Sequence, residues 1–140
     1  MLLGQYEHNL DQKNRLAIPA KLRHGLKGKI IITRGLDKCL FILSEKEWKK
    51  LIEKISNLPI GQKQARGLSR IMLAGAVEAS PDRLGRVVLP EYLKKYSGIR
   101  KSTVIVGVNT RAEIWDKEKW EEYCREGEER LSEMAESLEI

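Results

Sequence analysis

The chain is poor in the residues that carry most metal and nucleophile chemistry. It has two cysteines and two histidines among 140 residues. Cys39 precedes an apolar run and Cys124 lies in a charged segment, which indicates two reduced thiols rather than a disulfide or a metal pair. Neither His8 nor His24 has a metal-ligand spacing or a nucleophile motif beside it. The sequence therefore predicts no metal, no cofactor and no small-molecule substrate.

Long apolar runs and catalytic signatures are also missing. No stretch approaches the ~20 apolar residues of a membrane span, and no signal sequence opens the chain. There is no Gly-rich phosphate loop of Walker type and no G-x-S-x-G motif. Asp11 and Asp82 could act as paired carboxylates, but each has an arginine nearby that favours its charged form. We therefore expect a cytoplasmic protein that does not bind membranes and is not an enzyme.

Acidic residues are unevenly distributed, although the net charge is only +6. Residues 120–140 contain eight acids and two bases, or −6, which leaves 24 bases and 12 acids, or +12, in residues 1–119. No acid lies between Asp11 and Asp37, where seven Lys or Arg residues occur, and residues 83–112 hold seven bases against Glu91 alone. Two matched basic runs predict a polyanionic partner such as nucleic acid. The acidic tail could limit non-specific binding or pack against a neighbour.

One pattern occurs twice. Asp, Arg, Pro and Leu recur at the same spacing in 11–22 and in 82–93, an offset of 71 residues from Asp11 to Asp82. Each copy spans roughly 45 residues, and a unit of that size rarely buries enough apolar area to fold alone. The two copies should therefore share a core or assemble with other chains.

The same order of elements is predicted in both copies. Each reads as strand, turn, strand, a short helix opened by Pro, two more strands and a longer helix capped by Ser44 or Asp116. A further helix is predicted at 62–74, and the last helix is expected to run to about Leu131 or beyond. The predicted division is 5–47 for repeat 1, 48–75 for a helical linker, 76–119 for repeat 2 and 120–140 for a C-terminal acidic helix.

Each copy places an aspartate four residues before an arginine. Turn residues and β-formers surround both pairs, which indicates hairpin turns rather than a helical ion pair. The aspartate can accept hydrogen bonds from the turn, and the arginine can pair with its own aspartate or with that of the other copy. Two roles stay open and are compatible: the pairs hold the turns together, or the basic residues contact DNA phosphates and bases. The candidate DNA contacts are Lys13, Arg15, Arg83 and Arg86.

The paired Asp-x-x-x-Arg motif, the apolar-x-Pro after it and the Trp-bearing helix after each copy resemble the MraZ family of bacterial transcriptional regulators. The resemblance implies an α+β, mostly β fold in which two tandem swapped-hairpin units of AbrB/SpoVT type interlock into a barrel-like pseudo-dimer, followed by a C-terminal helix. The motif aspartates, Asp11 and Asp82, would then orient the turns. Family members usually have Gly before the arginine, as Gly85 is here, whereas the first copy has Asn14. Asn tolerates positive φ, so we expect this turn to keep its shape.

The resemblance also implies a function. It predicts a ring-shaped homo-oligomer that binds short repeated boxes in promoter DNA, associates with the nucleoid and represses the division and cell-wall operon, including its own gene. An AbrB-like antitoxin that holds a toxin partner and binds its own operator is the alternative, although antitoxins usually have one hairpin copy and a disordered tail. An RNA-binding module is a further one, and the lack of an exposed aromatic ladder argues weakly against it. Trp48, Trp115 and Trp120 are expected in the core instead.

Overall fold

The computed structural model describes all 140 residues, and the predicted order of elements is present twice. The first copy contains β1 (Gln5–Asn9), β2 (Arg15–Ala17), α1 (Ala20–Leu26), β3 (Ile30–Arg34), β4 (Leu40–Ser44) and α2 (Glu45–Ser56). After α3 (Lys63–Ala74), the second contains β5 (Val77–Ala79), β6 (Arg86–Val88), α4 (Glu91–Ser97), β7 (Ser102–Val108), β8 (Arg111–Asp116) and α5 (Lys117–Glu129), and α6 (Leu131–Ser137) follows. None of these helices has both the length and the hydropathy to cross a membrane.

The C-terminal segment differs from the single helix predicted for it. Its first helix begins at Lys117 and ends before Arg130, and a second helix starts at Leu131. The N–H of Arg130 donates to the carbonyl of Gly127 at 3.1 Å, a three-residue spacing that tightens the last turn. Glycine also lowers helix propensity there. The acidic tail is thus two short helices.

Strands from the two copies are interleaved within one open antiparallel sheet. Its order is β1-β7-β8-β4-β3-β5, and β2 pairs with β6 in a separate two-stranded ladder. Four pairings cross between copies: β1 with β7, β4 with β8, β5 with β3 and β2 with β6. The barrel-like closure implied by the family resemblance is wrong, because β2 and β6 pair with each other and leave β1 and β5 as the sheet edges.

Both faces of the sheet are covered. Alternate strand residues such as Ile42 and Ile114 point into a cluster of 17 buried residues, which also contains Leu16 and Val87 from the small ladder. The strand residues that point to the opposite face of the sheet, such as Phe41, pack in a smaller cluster with residues of α2 and α3. Because the larger cluster draws on both copies, they share a core, as the size of one unit predicts.

A local twofold axis relates the two copies at the small ladder. Leu16 lies opposite Val87, and an offset of 71 residues makes these two positions equivalent. Two backbone hydrogen bonds extend the ladder in the same symmetric way, from Ile18 N–H to the Gly85 carbonyl (2.9 Å) and from Leu89 N–H to the Asn14 carbonyl (2.8 Å). The turns between β1 and β2 and between β5 and β6 therefore flank the same ladder.

The helix caps and the tryptophans follow the sequence predictions. Ser44 Oγ and Asp116 Oδ2 each accept the backbone N–H three residues further on, at 3.2 Å. Trp115 is buried, and Trp48 and Trp120 pack against the smaller cluster. The core role of all three indoles is confirmed.

Candidate nucleic-acid interface

The first tip, defined as residues 11–15, is a hairpin loop organised by Asp11. Its Oδ1 accepts hydrogen bonds from the N–H groups of Lys13 and Arg15, both at 2.9 Å, and its Oδ2 accepts from Arg15 Nε at 2.6 Å. Asn14 has φ 59° and donates its N–H to the Asp11 carbonyl at 3.1 Å. A turn followed by one left-handed residue is typical of three-residue hairpin loops. The expectation that Asn14 accommodates the turn is confirmed.

The second tip, residues 82–86, has the same geometry. Asp82 Oδ1 accepts from the N–H groups of Leu84 and Arg86, both at 2.9 Å, and Oδ2 accepts from Arg86 Nε at 2.9 Å. Gly85 has φ 76° and donates its N–H to the Asp82 carbonyl at 2.8 Å. The two aspartates thus hold two equivalent turns in one conformation.

These hydrogen bonds lower the pKa of both aspartates from the ordinary value of 3.8. The backbone N–H of Arg15 is the largest cause for Asp11, and that of Arg86 for Asp82; the arginine side chains add to the lowering, and desolvation opposes it. A pKa that is lower in the folded state stabilises the protein above the unfolded value. That stabilisation is complete above about pH 3.8 and is lost as the pH falls through the lowered pKa.

Asp82→Asn tests this arrangement. The amide keeps an oxygen for the turn N–H groups but loses the charge, so we expect a melting temperature a few degrees lower at pH 7. The difference from the wild type should shrink as the pH falls below about 3.8, and it should be smallest once the pH has passed through the lowered pKa of Asp82, where the folded wild-type carboxylate is protonated. Asp37→Asn is a matched control, because Asp37 also lies in a turn with positive φ but forms no ion pair. Melting curves between pH 2 and 7 give the answer, and a constant difference across that range would contradict it.

Each aspartate leaves the outer edge of its arginine free. Of the guanidinium nitrogens of Arg15 and Arg86, only Nε is hydrogen bonded within the protein, and the side chains are 31% and 29% exposed. Arg86 Nη1 also lies 4.0 Å from Asp11 Oδ2, so the two tips interact electrostatically across the local axis. The terminal nitrogens are therefore held in a fixed orientation while remaining available to a ligand. Arg86 thus pairs with its own aspartate, Asp82, and also approaches Asp11 of the other copy, which are the two pairings that the sequence left open.

Two basic residues that the sequence analysis missed support the tips. Lys94 Nζ donates to Asn14 Oδ1 at 2.7 Å, and Asn14 Nδ2 donates to Glu91 Oε1 at 2.9 Å. At the second tip the guanidinium of Arg23 lies 2.6 Å from where a Cβ on Gly85 would be, so a side chain there would displace it. Arg23 and Lys94 are related by the offset of 71 residues. A basic residue at the same position of both copies is the sequence signal that could have identified them as supports of the tips.

The structure places all the predicted site residues in the two tips, which flank the β2–β6 ladder. Lys13 and Arg83 lie exposed at the two tips, beside the anchored arginines, and neither forms an ion pair. With their supporting residues, the tips carry six basic and three acidic side chains. The surface around the local axis is thus net positive, which favours an anionic ligand.

Comparison with known proteins agrees with this duplication. A family described as "MraZ protein, putative antitoxin-like" matches residues 1–71 and again residues 72–139. A protein named "Transcriptional regulator MraZ" from Caldanaerobacter subterraneus subsp. tengcongensis is 48% identical over 139 residues, which is 99% of this chain and 97% of the relative. Proteins with the same name from Thermoanaerobacter sp. (strain X514), 47% identical over the same shares, and from Carboxydothermus hydrogenoformans, 46% identical over 99% and 96%, are similarly close. This chain therefore belongs to the MraZ family.

Proposed function

We propose that this chain is a sequence-specific transcriptional regulator that binds double-stranded promoter DNA through its two tips. It acts in the cytoplasm at the nucleoid, on tandem short boxes, and represses the division and cell-wall operon that includes its own gene. Three relatives carry the name of a transcriptional regulator. The observation that carries the proposal is that each tip holds an arginine through Nε and leaves its terminal nitrogens without a hydrogen bond.

The chemistry of the tips suits DNA. A guanidinium presents a planar pair of donors, which matches the O6 and N7 acceptors of guanine in the major groove. Arg15 and Arg86 are the candidate base contacts, and Lys13 and Arg83 beside them are the candidate phosphate contacts. Paired reading elements related by a twofold axis match the symmetry of a duplex.

We infer that the two copies interlock as swapped hairpins. The supporting observation is that β1, β2 and β5 each pair with a strand of the other copy. The interlocked units would be 5–47 and 76–119, joined by the helical segment 48–75 and followed by the acidic segment 120–140.

We further propose a ring-shaped homo-oligomer. Leu131, Met134 and Leu138 are exposed at helical spacing on the acidic tail, and the main neighbour of α6 is α5, which precedes it along the chain. Exposed Ile60 and basic Arg70 lie by the groove between α2 and α3, which is a complementary surface for the tail of a second copy. A head-to-tail contact between two different surfaces closes into a ring when its rotation allows. Several weak tip contacts then add through effective concentration.

Replacing Leu131 and Leu138 together by Glu should break this contact. We expect the wild type to sediment at several times 16.1 kDa and the double variant to sediment as a monomer of that mass. Leu3→Glu is the control, because Leu3 is also exposed but lies outside both surfaces. A wild type that sediments as a monomer would overturn the proposed oligomer. A double variant that sediments at the wild-type mass would overturn the proposed contact between the tail and the groove.

A binding titration tests the proposed function. A labelled duplex from the region upstream of the gene should bind more tightly than a scrambled duplex of equal length. The logarithm of the binding constant should fall linearly with the logarithm of salt, with a slope of about −0.9 for each neutralised phosphate. Absence of binding to either duplex in dilute buffer would overturn the proposal.

The family description keeps the antitoxin alternative open. In that alternative α6 would hold a toxin, and a small partner protein would copurify with the chain in place of the self-assembled ring.

A further inference from the structure

The two tips differ at one exposed position. The offset of 71 residues makes Leu84 in the second tip equivalent to Lys13 in the first. Leu84 is 68% exposed and belongs to neither buried cluster. A leucine side chain stabilises a fold by leaving water, so this exposed side chain contributes little to folding where it lies.

The backbone of Leu84 is fixed by the hydrogen bonds of its turn. Its N–H donates to Asp82 Oδ1 at 2.9 Å. The following residue, Gly85, is buried and has the positive φ that the loop requires. Arg86, two residues on, is anchored on the same carboxylate. The apolar side chain is therefore presented at a fixed tip.

The neighbours of Leu84 define the chemistry of its partner. Arg83 and Arg86 flank it on the chain, and Arg23 lies against Gly85. Such a cationic surface selects a polyanion and disfavours an apolar protein surface. In the major groove of DNA, the apolar group displayed by a base is the C5 methyl of thymine.

We propose that Leu84 contacts thymine methyl groups in the box bound by the second tip. At the equivalent position of the first tip, Lys13 contacts phosphate instead. The two tips of one protomer then read different base sequences despite their shared backbone geometry. This assignment rests on the proposed function, since it requires DNA in contact with the tips.

Duplexes with and without the methyl groups provide the test. The probes are the upstream duplex and an otherwise identical duplex with deoxyuridine in place of thymine, which removes the methyls and keeps the hydrogen-bonding edges. We expect the wild type to bind the thymine duplex about fourfold more tightly for each contacted methyl, the ratio that corresponds to about 0.8 kcal/mol. Leu84→Ala should reduce this ratio to about one, with an unchanged melting temperature and unchanged affinity for the uracil duplex.

Lys13→Ala is the matched control at the equivalent position. It should weaken binding to both duplexes equally, leave their ratio at the wild-type value and reduce the salt slope by about one. A wild type that binds its site specifically with a ratio of one would overturn the role of Leu84 and leave the proposed function intact. A Leu84→Ala variant that keeps the wild-type ratio would do the same. No binding to either duplex would overturn both.

Discussion

Replacing Arg15 and Arg86 together by alanine is expected to abolish specific binding to the promoter duplex while leaving the fold intact. Each well-formed arginine–guanine pair contributes about 1–3 kcal/mol of discrimination, so two should contribute about 2–6 kcal/mol. The affinity for the specific duplex should fall by roughly 30-fold or more. Fluorescence anisotropy with the labelled upstream duplex and a scrambled duplex measures this loss.

Two control variants separate charge from geometry. Lys46→Ala combined with Lys49→Ala also removes two positive charges, but from the exposed face of α2, and it should leave the affinity close to that of the wild type. Arg15→Lys combined with Arg86→Lys keeps the charge but loses the planar donor pair, so specific binding should fall while non-specific binding persists. A melting temperature that falls by several degrees with intact DNA binding would instead assign the arginines to holding the turns.

Leu16→Ala is expected to destabilise the whole chain in one transition. Leu16 is fully buried in the larger cluster, opposite its equivalent Val87 on the local axis. Truncating a buried leucine to alanine costs about 2–5 kcal/mol because it leaves a cavity. For a domain of this size the melting temperature should fall by roughly 4–20 °C.

The exposed Leu36 provides the control for this truncation, since Leu36→Ala removes the same atoms from the surface and should change the melting temperature little. Calorimetry should show a single transition for the wild type and for both variants, because the copies share one core. Two separate transitions, with only one lowered by Leu16→Ala, would mean that each copy has its own core.

The local structure could be predicted because it depends on residues close in sequence. Pro19 and Pro90 open the two short helices, and Ser44 caps α2 through a bond to a residue three positions away. The positive φ of Asn14 followed from the tolerance of Asn for that region and from its position in the repeat. The shared core followed from the small size of each copy.

Strand pairing could not be read in the same way. β3 and β4 are buried on both faces, so their apolar runs contain no alternation that would fix partner or register. The open edges of the sheet depend on β2 pairing with β6, a contact between segments 71 residues apart that no local pattern records. The supporting role of Lys94 was missed for the same reason, since it reaches Asn14 across the two copies.

The assignment of the tips as the DNA-binding surface is tested most directly by a hydroxyl-radical footprint over the region upstream of the gene. We predict short protected segments that recur at regular spacing with the wild-type protein. These segments should disappear with the Arg15→Ala and Arg86→Ala double variant, while the Lys46→Ala and Lys49→Ala variant keeps them. An unprotected upstream region in dilute buffer, or protection that persists in the tip variant, would contradict it.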